Sequence, residues 1–290
     1  MVKHQRKTQL FQFLDLLPHR WGFALYHKLQ QLADKKTLPQ KIKPAERTFQ
    51  TARDLCETHQ VPLEGGTLIE IGSGWLPILP YFFLTEGKVG EVHSYDLNEH
   101  YQKKAVAALN DFFSTRFPNQ FPKVYSTRYP LASGLVYHPK TNLVDAVLPE
   151  ASLVFSRFVL EHVRPEDIQA MHQKFAKELP SGSHLLHFIS PSDHRAHSDP
   201  TLSLQDFLQY SEAEWNRIQT KFDYHNRLRL PQYLSIFEAC GLEIVFVSHD
   251  NPEPGSKRHQ QFSALDIHPD FQHFTEKELT AGSIVVLLKT

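Results

Sequence analysis

The chain has 290 residues, enough for one large α/β domain with additions or for two modest domains. Hydrophobic residues make up 41% of it, charged residues make up 22%, and the net charge is −1, as in ordinary soluble globular proteins. Because Lys and Arg form no dense patch in this balanced sequence, the composition argues against nucleic acid as a partner.

The N-terminal segment 8–32 is apolar and basic, and its spacing predicts a helix. Asp15 and Pro18 interrupt the apolar run, so we expect neither an integral membrane segment nor a signal peptide. We expect this helix to pack on the rest of the chain as a cap, with peripheral contact to a membrane surface as the alternative. The two isolated cysteines, Cys56 and Cys240, indicate buried thiols in a reducing compartment, and we expect a cytoplasmic protein.

A second helix is predicted over 44–60, after the Lys- and Pro-rich linker 35–44. Residues 1–62 are therefore interpreted as an N-terminal helical cap and residues 63–290 as one α/β domain. From Gly65 onward strands and helices alternate, which indicates a mostly parallel sheet with helices on both faces. The predicted strands are 67–71, 91–95, a short third strand at Val124 or at 134–138, 152–157, 183–190, 242–249 and 282–289. The predicted helices between them are 77–86, 98–116, 165–179 and 231–240.

Two segments of this domain depart from simple alternation. No helix is clear between the last two predicted strands, so we predict a hairpin or a strand inserted antiparallel at the sheet's edge. Segment 191–230 is long for a connection inside a compact domain, and we interpret it as a helical lid over a substrate pocket.

The turn after the first strand, in "LIEIGSGWLPILP", carries Gly72 and Gly74, which allow the backbone to approach a ligand closely. A dinucleotide fingerprint needs a third glycine where Pro77 stands, and a proline there withholds an amide from a diphosphate. The alternative pattern, acid-x-Gly-x-Gly, begins at Glu70, whose carboxylate suits a ligand that carries an amine. Asp96, at the end of the second strand, is placed to accept hydrogen bonds from both hydroxyls of a ribose. The two acids fit S-adenosylmethionine (SAM) better than NAD.

This trio of motifs, together with "FSRFVLEHV" (155–163), resembles the class I SAM-dependent methyltransferases over about residues 65–250. More narrowly, "EIGSGWLPILP", "SPSDHRAHSDP" and "YHNRLRLPQYLSIFEACGLEI" are similar to small-molecule methyltransferases of bacterial glycan and natural-product pathways. The resemblance implies a Rossmann-like, mostly parallel seven-stranded sheet with an antiparallel edge strand, and SAM as the cofactor. It also implies methyl transfer to a small polar acceptor, with oxygen favoured over nitrogen.

Carried over by position, the resemblance implies a set of cofactor-binding residues at the ends of the strands. They are Glu70 near the methionine amine, Gly72, Ser73 and Gly74 lining the cofactor, Asp96 on the ribose, Leu97 and Ala146 beside the adenine, Asp145 near its amino group, and Ser156 and Arg157 bordering the sulfonium. The family's usual third glycine is Leu76 here, so the loop is bulkier. Some relatives bind a divalent metal through a carboxylate where this chain has Phe158, so we predict no metal.

A hydroxyl acceptor must lose a proton during methyl transfer, and histidine or carboxylate side chains are the natural bases. His162 after the fourth strand, and Asp193 and His194 after the fifth, are the candidate catalytic residues. Tyr224 and Arg227, near the end of the insertion, are the candidate substrate-binding residues. Two alternatives stay open: a SAM enzyme of this fold with other chemistry, and a catalytically silent SAM-binding subunit. The identity of the acceptor and the oligomeric state also stay open.

Overall fold

The computed structural model describes residues 10–17, 21–22, 25–26, 28–29, 36–126, 128–220 and 222–290. The predicted helix over 8–32 lies partly outside the described residues; within them, 10–15, 21–22, 25–26 and 28–29 are helical. Phe11 and Tyr26 pack against Phe222 of the predicted insertion, with ring centroids 6.3 Å and 5.0 Å from it. These contacts join the N-terminal segment to the insertion. None of the helices that the structure describes is long and apolar enough to cross a membrane.

A seven-stranded sheet forms the centre of the molecule, with strand order β5-β2-β1-β6-β7-β9-β8. Its strands are β1 (Thr67–Ile71), β2 (Glu91–Asp96), β5 (Leu135–Pro139), β6 (Leu153–Arg157), β7 (His184–Ile189), β8 (Glu243–Asp250) and β9 (Gly282–Lys289), and the short strands β3 (Val124–Ser126) and β4 (Pro130–Ala132) pair separately. All neighbours are parallel except β9, which runs opposite to β7 and β8. The predicted fold class is confirmed. The antiparallel strand is β9, which lies second from one edge of the sheet, between β7 and the edge strand β8.

Helices cover both faces of the sheet. They are α1 (Leu38–Thr58), α2 (Ile78–Thr85), α3 (Lys103–Arg116), α4 (Pro165–Glu178), α5 (His194–Ser198), α6 (Glu212–Ile218), α7 (Leu230–Ala239), α8 (Lys257–Ser263) and α9 (Glu276–Thr280). On one face, α1 and α2 bury an aromatic layer around Phe49 and Phe82, whose rings stack 5.4 Å apart. On the other face, Phe175 of α4 and Phe237 of α7 belong to a second core.

Two predicted helix boundaries are wrong, and side-chain hydrogen bonds explain both. The helix predicted over 44–60 begins at Leu38, so the predicted linker is helical from there, and the Thr37 amide donates to the Gln40 side chain at 2.9 Å. The helix predicted to begin at 98 begins at Lys103 instead. Upstream of it, the amide of Asn98 donates to Asp96 and that of His100 to the Tyr137 hydroxyl, which holds this stretch outside the helix.

The connection between β8 and β9 corrects a further expectation, because it contains α8 and α9. Thr275 and Glu278 form a capping box at the start of α9, in which the Thr275 amide donates to Glu278 at 2.7 Å. Phe262 and Phe271 of this connection share a small core with Phe207 and Trp215 of the insertion 191–230. The insertion is therefore held by its own core together with the β8–β9 connection.

Candidate functional site

The glycine turn lies where the order of the strands reverses. β1 has β2 on one side and β6 on the other, so the chain segments that leave β1 and β6 diverge at their carboxyl ends. In open α/β sheets, ligands bind in the crevice at such a reversal. The fold therefore brings the residues that follow β1, β2, β6 and β7 to one edge.

Two glycines shape the loop between β1 and α2. Gly72 has a φ of +79° and Gly74 a φ of +59°, in the left-handed region that side chains with a Cβ disfavour. A Cβ on Gly72 would lie 2.5 Å from Cγ2 of Val159, whereas one on Gly74 would meet no atom within 4 Å. The Gly72 amide donates to the Tyr95 carbonyl at 2.8 Å, which fixes the loop beside β2. The loop thus presents open backbone at Gly74.

A pocket of about 250 Å³, the glycine-loop pocket, lies against this turn. It is lined by Lys41, Ala45, Glu70, Gly72, Ser73, Gly74, Trp75, Leu76, Ile78, Leu79 and Arg157. Its lining has one acidic side chain, Glu70, and two basic side chains, Lys41 and Arg157. An acid and two basic groups within one small pocket match a zwitterionic ligand, whose amine and carboxylate need partners of opposite sign.

Glu70 is the acid of this pocket and is 5% exposed. The Ser94 hydroxyl of the neighbouring strand donates to its carboxylate. Burial raises the pKa of Glu70 to about 8, and the charge of nearby Asp96 acts in the same direction. A cation placed against this carboxyl would favour its ionised form and offset the cost of burial.

Asp96 ends β2 and ties the glycine turn to that strand. The Ser73 hydroxyl donates to Oδ2 at 3.1 Å, and the Asn98 amide donates to Oδ1 at 2.8 Å. The His100 ring lies 3.6 Å from Oδ1 and packs against Trp75, with ring centroids 4.8 Å apart. Because a carboxylate has about four acceptor positions, Asp96 keeps acceptor capacity for a ligand hydroxyl.

The two residues that end β6 face opposite sides of the sheet. Arg157 lines the glycine-loop pocket, and its Nε donates to the Thr48 hydroxyl of α1 at 2.9 Å. Ser156 is fully buried on the other side, where its hydroxyl lies 2.7 Å from Nδ1 of His187. The structure therefore brings Arg157, but not the Ser156 hydroxyl, into the pocket with Glu70.

The residues assigned to the adenine lie farther along the same edge. Leu97 is 67% exposed and lines a second, wider cleft of about 870 Å³. Asp145 and Ala146 lie in the turn after β5, and the start of this turn is held by the Thr141 amide, which donates to the Asp96 carbonyl at 3.0 Å. Asp145 is exposed, whereas Ala146 packs on the second core.

Three histidines meet at the end of β6 and β7. His162 ends a short 3-10 turn (Leu160–His162), His194 is the first residue of α5, and His225 precedes α7. Ring centroids are 4.0 Å apart for His194 and His225, and 4.9 Å apart for His162 and His194. Desolvation lowers the pKa of His162 and so favours its neutral form at neutral pH. The predicted pair His162 and His194 is thus brought together, with a third ring beside it.

Asp193 has a different set of contacts from those a catalytic base requires. It is 1% exposed, and both of its oxygens accept from the Arg195 guanidinium, at 2.7 Å for the shortest bond. Its Oδ1 also accepts from the Arg195 amide at 2.8 Å and caps α5. Arg195 in turn donates to Asp206 at 2.9 Å. These bonds hold the insertion in place and occupy the carboxylate.

Tyr224 and Arg227, the candidate substrate-binding residues, both line the wide cleft. Arg227 is 4% exposed, and its guanidinium donates to the carbonyls of Phe207 and Tyr210 and to Glu212. Tyr224 is more accessible, and its carbonyl lies 2.9 Å from Nδ1 of His162. The structure therefore gives Arg227 intramolecular partners and leaves Tyr224 at the wall of the cleft.

Sequence reasoning did not select three residues of this edge as site residues: Lys41, Glu161 and His225. Lys41 comes from α1, which lies far from the motif in the sequence and whose start was misplaced. Glu161 is 2% exposed, and burial raises its pKa to about 8; its Oε1 accepts from the Ser190 amide at 3.2 Å. Glu161 belongs to the "LEHV" motif, but the sequence does not show that its side chain is buried. No spacing pattern in the sequence links His225 to His162.

No family model matches the chain, and no curated protein matches it. Among solved structures it is similar to magnesium protoporphyrin IX methyltransferase from Synechocystis PCC 6803, with 11% identity over 88% of this chain and 89% of that chain and a TM-score of 0.49. It is also similar to a candidate sarcosine dimethylglycine methyltransferase from Galdieria sulphuraria, with 13% identity over 84% and 85% of the two chains and a TM-score of 0.47. A SAM-dependent methyltransferase from Methanosarcina mazei matches at 13% identity over 80% and 96%, with a TM-score of 0.43.

These TM-scores lie below 0.5, so the assignment of the fold rests on the sheet of this chain. Its seven strands, their mostly parallel arrangement and the antiparallel strand in the last pair are the features that the resemblance implied. The glycine turn follows β1, as the motif requires. The chain has a Rossmann-like fold of the kind that its resemblance to class I SAM-dependent methyltransferases predicted.

Proposed function

We propose that this protein is a SAM-dependent methyltransferase that acts on a small polar acceptor, with oxygen favoured over nitrogen as the acceptor atom. The observation that carries the proposal is the glycine-loop pocket, in which the buried acid Glu70 faces the same small volume as Arg157 and Lys41. Asp96 lies at the end of the adjacent strand, as a ribose-binding carboxylate would. An amino-acid nucleoside carries all three complementary groups: an amine, a carboxylate and a ribose.

The residues present fit this cofactor. Glu70 would hold the amine, because a cation removes the cost of ionising a buried carboxyl. Arg157 and Lys41 would hold the carboxylate, Gly74 would allow close approach, and Asp96 would accept from the ribose hydroxyls. When bound, SAM supplies an electrophilic methyl group on a sulfonium.

The remaining steps belong to the chain's own side chains. Methyl transfer is an in-line displacement, so the protein must hold the acceptor behind the methyl; positioning of this kind is worth about 7–11 kcal/mol in well-oriented reactions. The wide cleft, lined by Leu97, His162 and Tyr224, is the proposed acceptor site because it opens beside the cofactor edge. His162 and His194 are the proposed proton acceptors for an acceptor hydroxyl. A general base of this kind typically raises the rate by about 10²–10⁴-fold.

The N-terminal segment and the insertion 191–230 are proposed to cover this cleft. Phe11 and Tyr26 pack on Phe222, so the two segments form one wall, and Asp15 lies in the lining of the wide cleft. A covered cleft excludes water from the reacting atoms. Asp145 and Ala146 remain proposed neighbours of the adenine.

The proposal is tested with methyl-labelled SAM and a pool of small hydroxylated and amine-bearing acceptors. Wild-type protein is expected to transfer label to an acceptor, and His162→Ala is expected to lose transfer while it still binds S-adenosylhomocysteine. A wild type that binds the nucleoside but labels no acceptor would favour the silent-subunit alternative. A wild type that binds neither SAM nor its product would contradict the proposed function.

A further inference from the structure

Three histidine side chains from separate segments converge beside the wide cleft. The metal-ligating nitrogens of His162, His194 and His225 all lie within 4.8 Å of one another. His162 comes from the segment after β6, His194 from α5 after β7, and His225 from the end of the insertion. They form a single cluster, which we call the histidine triad.

Hydrogen bonds orient two of the rings. Nδ1 of His162 lies 2.9 Å from the Tyr224 carbonyl, and Nδ1 of His225 lies 2.7 Å from the Asp223 carbonyl. A carbonyl oxygen only accepts hydrogen bonds, so Nδ1 carries the proton in both rings and Nε2 carries the lone pair. Histidines that bind metals are held in this way, with the second nitrogen donating to a backbone carbonyl or a carboxylate.

The surroundings are compatible with a cation. His225 is buried, His194 is half-buried and His162 reaches solvent, so the triad is sheltered on one side and accessible on the other. The nearest arginine of α5, Arg195, is paired with Asp193 and Asp206, which neutralise its charge. His162 also lines the wide cleft, so the accessible side of the triad faces that cleft.

We propose that His162, His194 and His225 bind one divalent transition-metal ion of the zinc class, with a fourth coordination position open toward the wide cleft. Neutral imidazole suits zinc, copper, nickel and iron, whereas magnesium and calcium prefer oxygen ligands. Zinc with Zn–N distances of about 2.0–2.1 Å in a tetrahedral site places its nitrogens about 3.3 Å apart. The triad nitrogens lie within 4.8 Å of one another, so binding would draw them together by at most about 1.5 Å (4.8 − 3.3). Three histidines with one open position form a zinc site of the catalytic type.

This site differs from the one that sequence reasoning considered. The expectation of no metal rested on Phe158, which replaces a carboxylate that some relatives use. The triad needs no carboxylate, and its members are 32 (194 − 162) and 31 (225 − 194) residues apart, so no sequence spacing revealed it. An ion here would tie the insertion to the end of β6. The ion would occupy the lone pairs of His162 and His194, so in the metal-bound protein it would activate a hydroxyl at the open position by lowering its pKa, in place of these two proton acceptors; this consequence rests on the proposed function.

The test is titration of metal-free protein with Co²⁺, followed by competition with Zn²⁺. Wild type is expected to bind one ion per chain with the visible absorption of tetrahedral cobalt, which Zn²⁺ abolishes. Loss of one outer hydrogen-bond partner costs metal sites about 10–100-fold in affinity, so His162→Asn, His194→Ala and His225→Ala should each bind at least about 100-fold more weakly. His249→Ala, which removes an exposed histidine of β8 outside the triad, is the control and should bind as wild type does.

His162 is the exposed member, so His162→Asn keeps the test valid if the His225 variant fails to fold. Cobalt bound without the tetrahedral spectrum, or bound equally by wild type and His162→Asn, would overturn the proposal. Calorimetry with S-adenosylhomocysteine on the same metal-free sample separates the two hypotheses. Nucleoside binding without metal binding would contradict the triad site alone, and metal binding without nucleoside binding would contradict the proposed function alone.

Discussion

The hydroxyl of Ser73 donates a 3.1 Å hydrogen bond to Oδ2 of Asp96 and so joins the glycine turn after β1 to the end of β2. The same turn is bonded to β2 through the Gly72 amide and the Tyr95 carbonyl at 2.8 Å. Hydrogen bonds therefore join the two halves of the proposed cofactor site: the amino-acid half at Glu70 and the ribose half at Asp96. A change in one half is expected to affect the other.

Nucleoside binding is predicted to release a proton from Glu70. Burial raises the pKa of Glu70 to about 8, so the free protein holds this carboxyl mostly protonated at pH 7. An ammonium group beside it favours the carboxylate and lowers that pKa, so the proton leaves and affinity rises as the pH rises from 6 to 8. Calorimetry of S-adenosylhomocysteine binding in two buffers of different ionisation enthalpy measures the number of protons released on binding. Glu70→Gln should abolish the buffer dependence; an enthalpy independent of buffer in wild type would refute the assignment.

Glu161 is predicted to make the fold less stable as the pH rises from about 4.5 to about 8. Its pKa is raised by burial from 4.5 to about 8, so the folded state keeps a proton that the unfolded state loses between these values. The free energy of unfolding therefore falls as the pH rises through this window, by at most about 1.4 kcal/mol per pH unit. Glu161→Gln cannot ionise, so its stability relative to wild type should increase from pH 5 to pH 8.5. Urea unfolding at both pH values measures this.

The exposed Glu166 is the control for that series. Its substitution by Gln removes an exposed carboxyl of the neighbouring helix α4, so it controls for the loss of a carboxyl that is not buried. An equal pH dependence in Glu161→Gln and Glu166→Gln would contradict the role given to burial.

Alanine at the two glycines of the turn is predicted to have unequal effects. Both positions have a positive φ, which costs about 1–2 kcal/mol for a residue with a Cβ. At Gly72 the new methyl also meets Val159, so Gly72→Ala should lose more stability than Gly74→Ala. Thermal unfolding gives the ranking, and Val159→Ala should recover part of the Gly72→Ala loss.

Gly182→Ala provides the matched control for this strain. Gly182 has a φ of +87° and open space around its Cα, but it lies in the turn before β7, away from the pocket. It should lose about as much stability as Gly74→Ala while binding S-adenosylhomocysteine normally. If Gly74→Ala also bound normally, the close approach of a ligand to Gly74 would be disproved.

Asp193 is predicted to act on stability through Arg195. Asp193→Asn removes the charge that pairs with this guanidinium, and breaking a buried pair in this way typically costs about 3–5 kcal/mol. A lower melting temperature with unchanged nucleoside affinity is expected. An unchanged melting temperature combined with lost methyl transfer would instead restore Asp193 as a catalytic residue.

The sheet could be predicted from the sequence because its strands are short apolar runs bounded by turn residues. Strands 67–71 and 282–289 have the predicted bounds, and the Glu70–Gly74 motif correctly indicated the loop at the strand reversal. Local side-chain bonds decided the misplaced ends. The amide of Asn98 is held locally by Asp96, whereas the amide of His100 is held by Tyr137 of β5, a contact between the segment after β2 and another strand that no local pattern contains.

Only part of the candidate site could be predicted from the sequence. Residues inside a motif, such as Glu70 and Asp96, were found because their spacing is set by one strand and its loop. Arg227 and Ser156 were assigned from position alone, and the structure shows the partners that position cannot reveal: carbonyls of the insertion for Arg227 and the His187 ring for Ser156. His225 was missed because tertiary packing alone brings it to His162.

The central claim is that the turn after β1 and the acid after β2 together bind an amino-acid nucleoside. The most direct measurement is calorimetric binding of S-adenosylhomocysteine to wild type and to Asp96→Ala, with Asp145→Ala, the exposed acid of the turn after β5, measured in parallel. Wild type is expected to bind with micromolar affinity, Asp96→Ala to lose most of this affinity and Asp145→Ala to lose less of it. No binding to wild type at millimolar nucleoside, or equal binding to wild type and Asp96→Ala, would contradict the central claim.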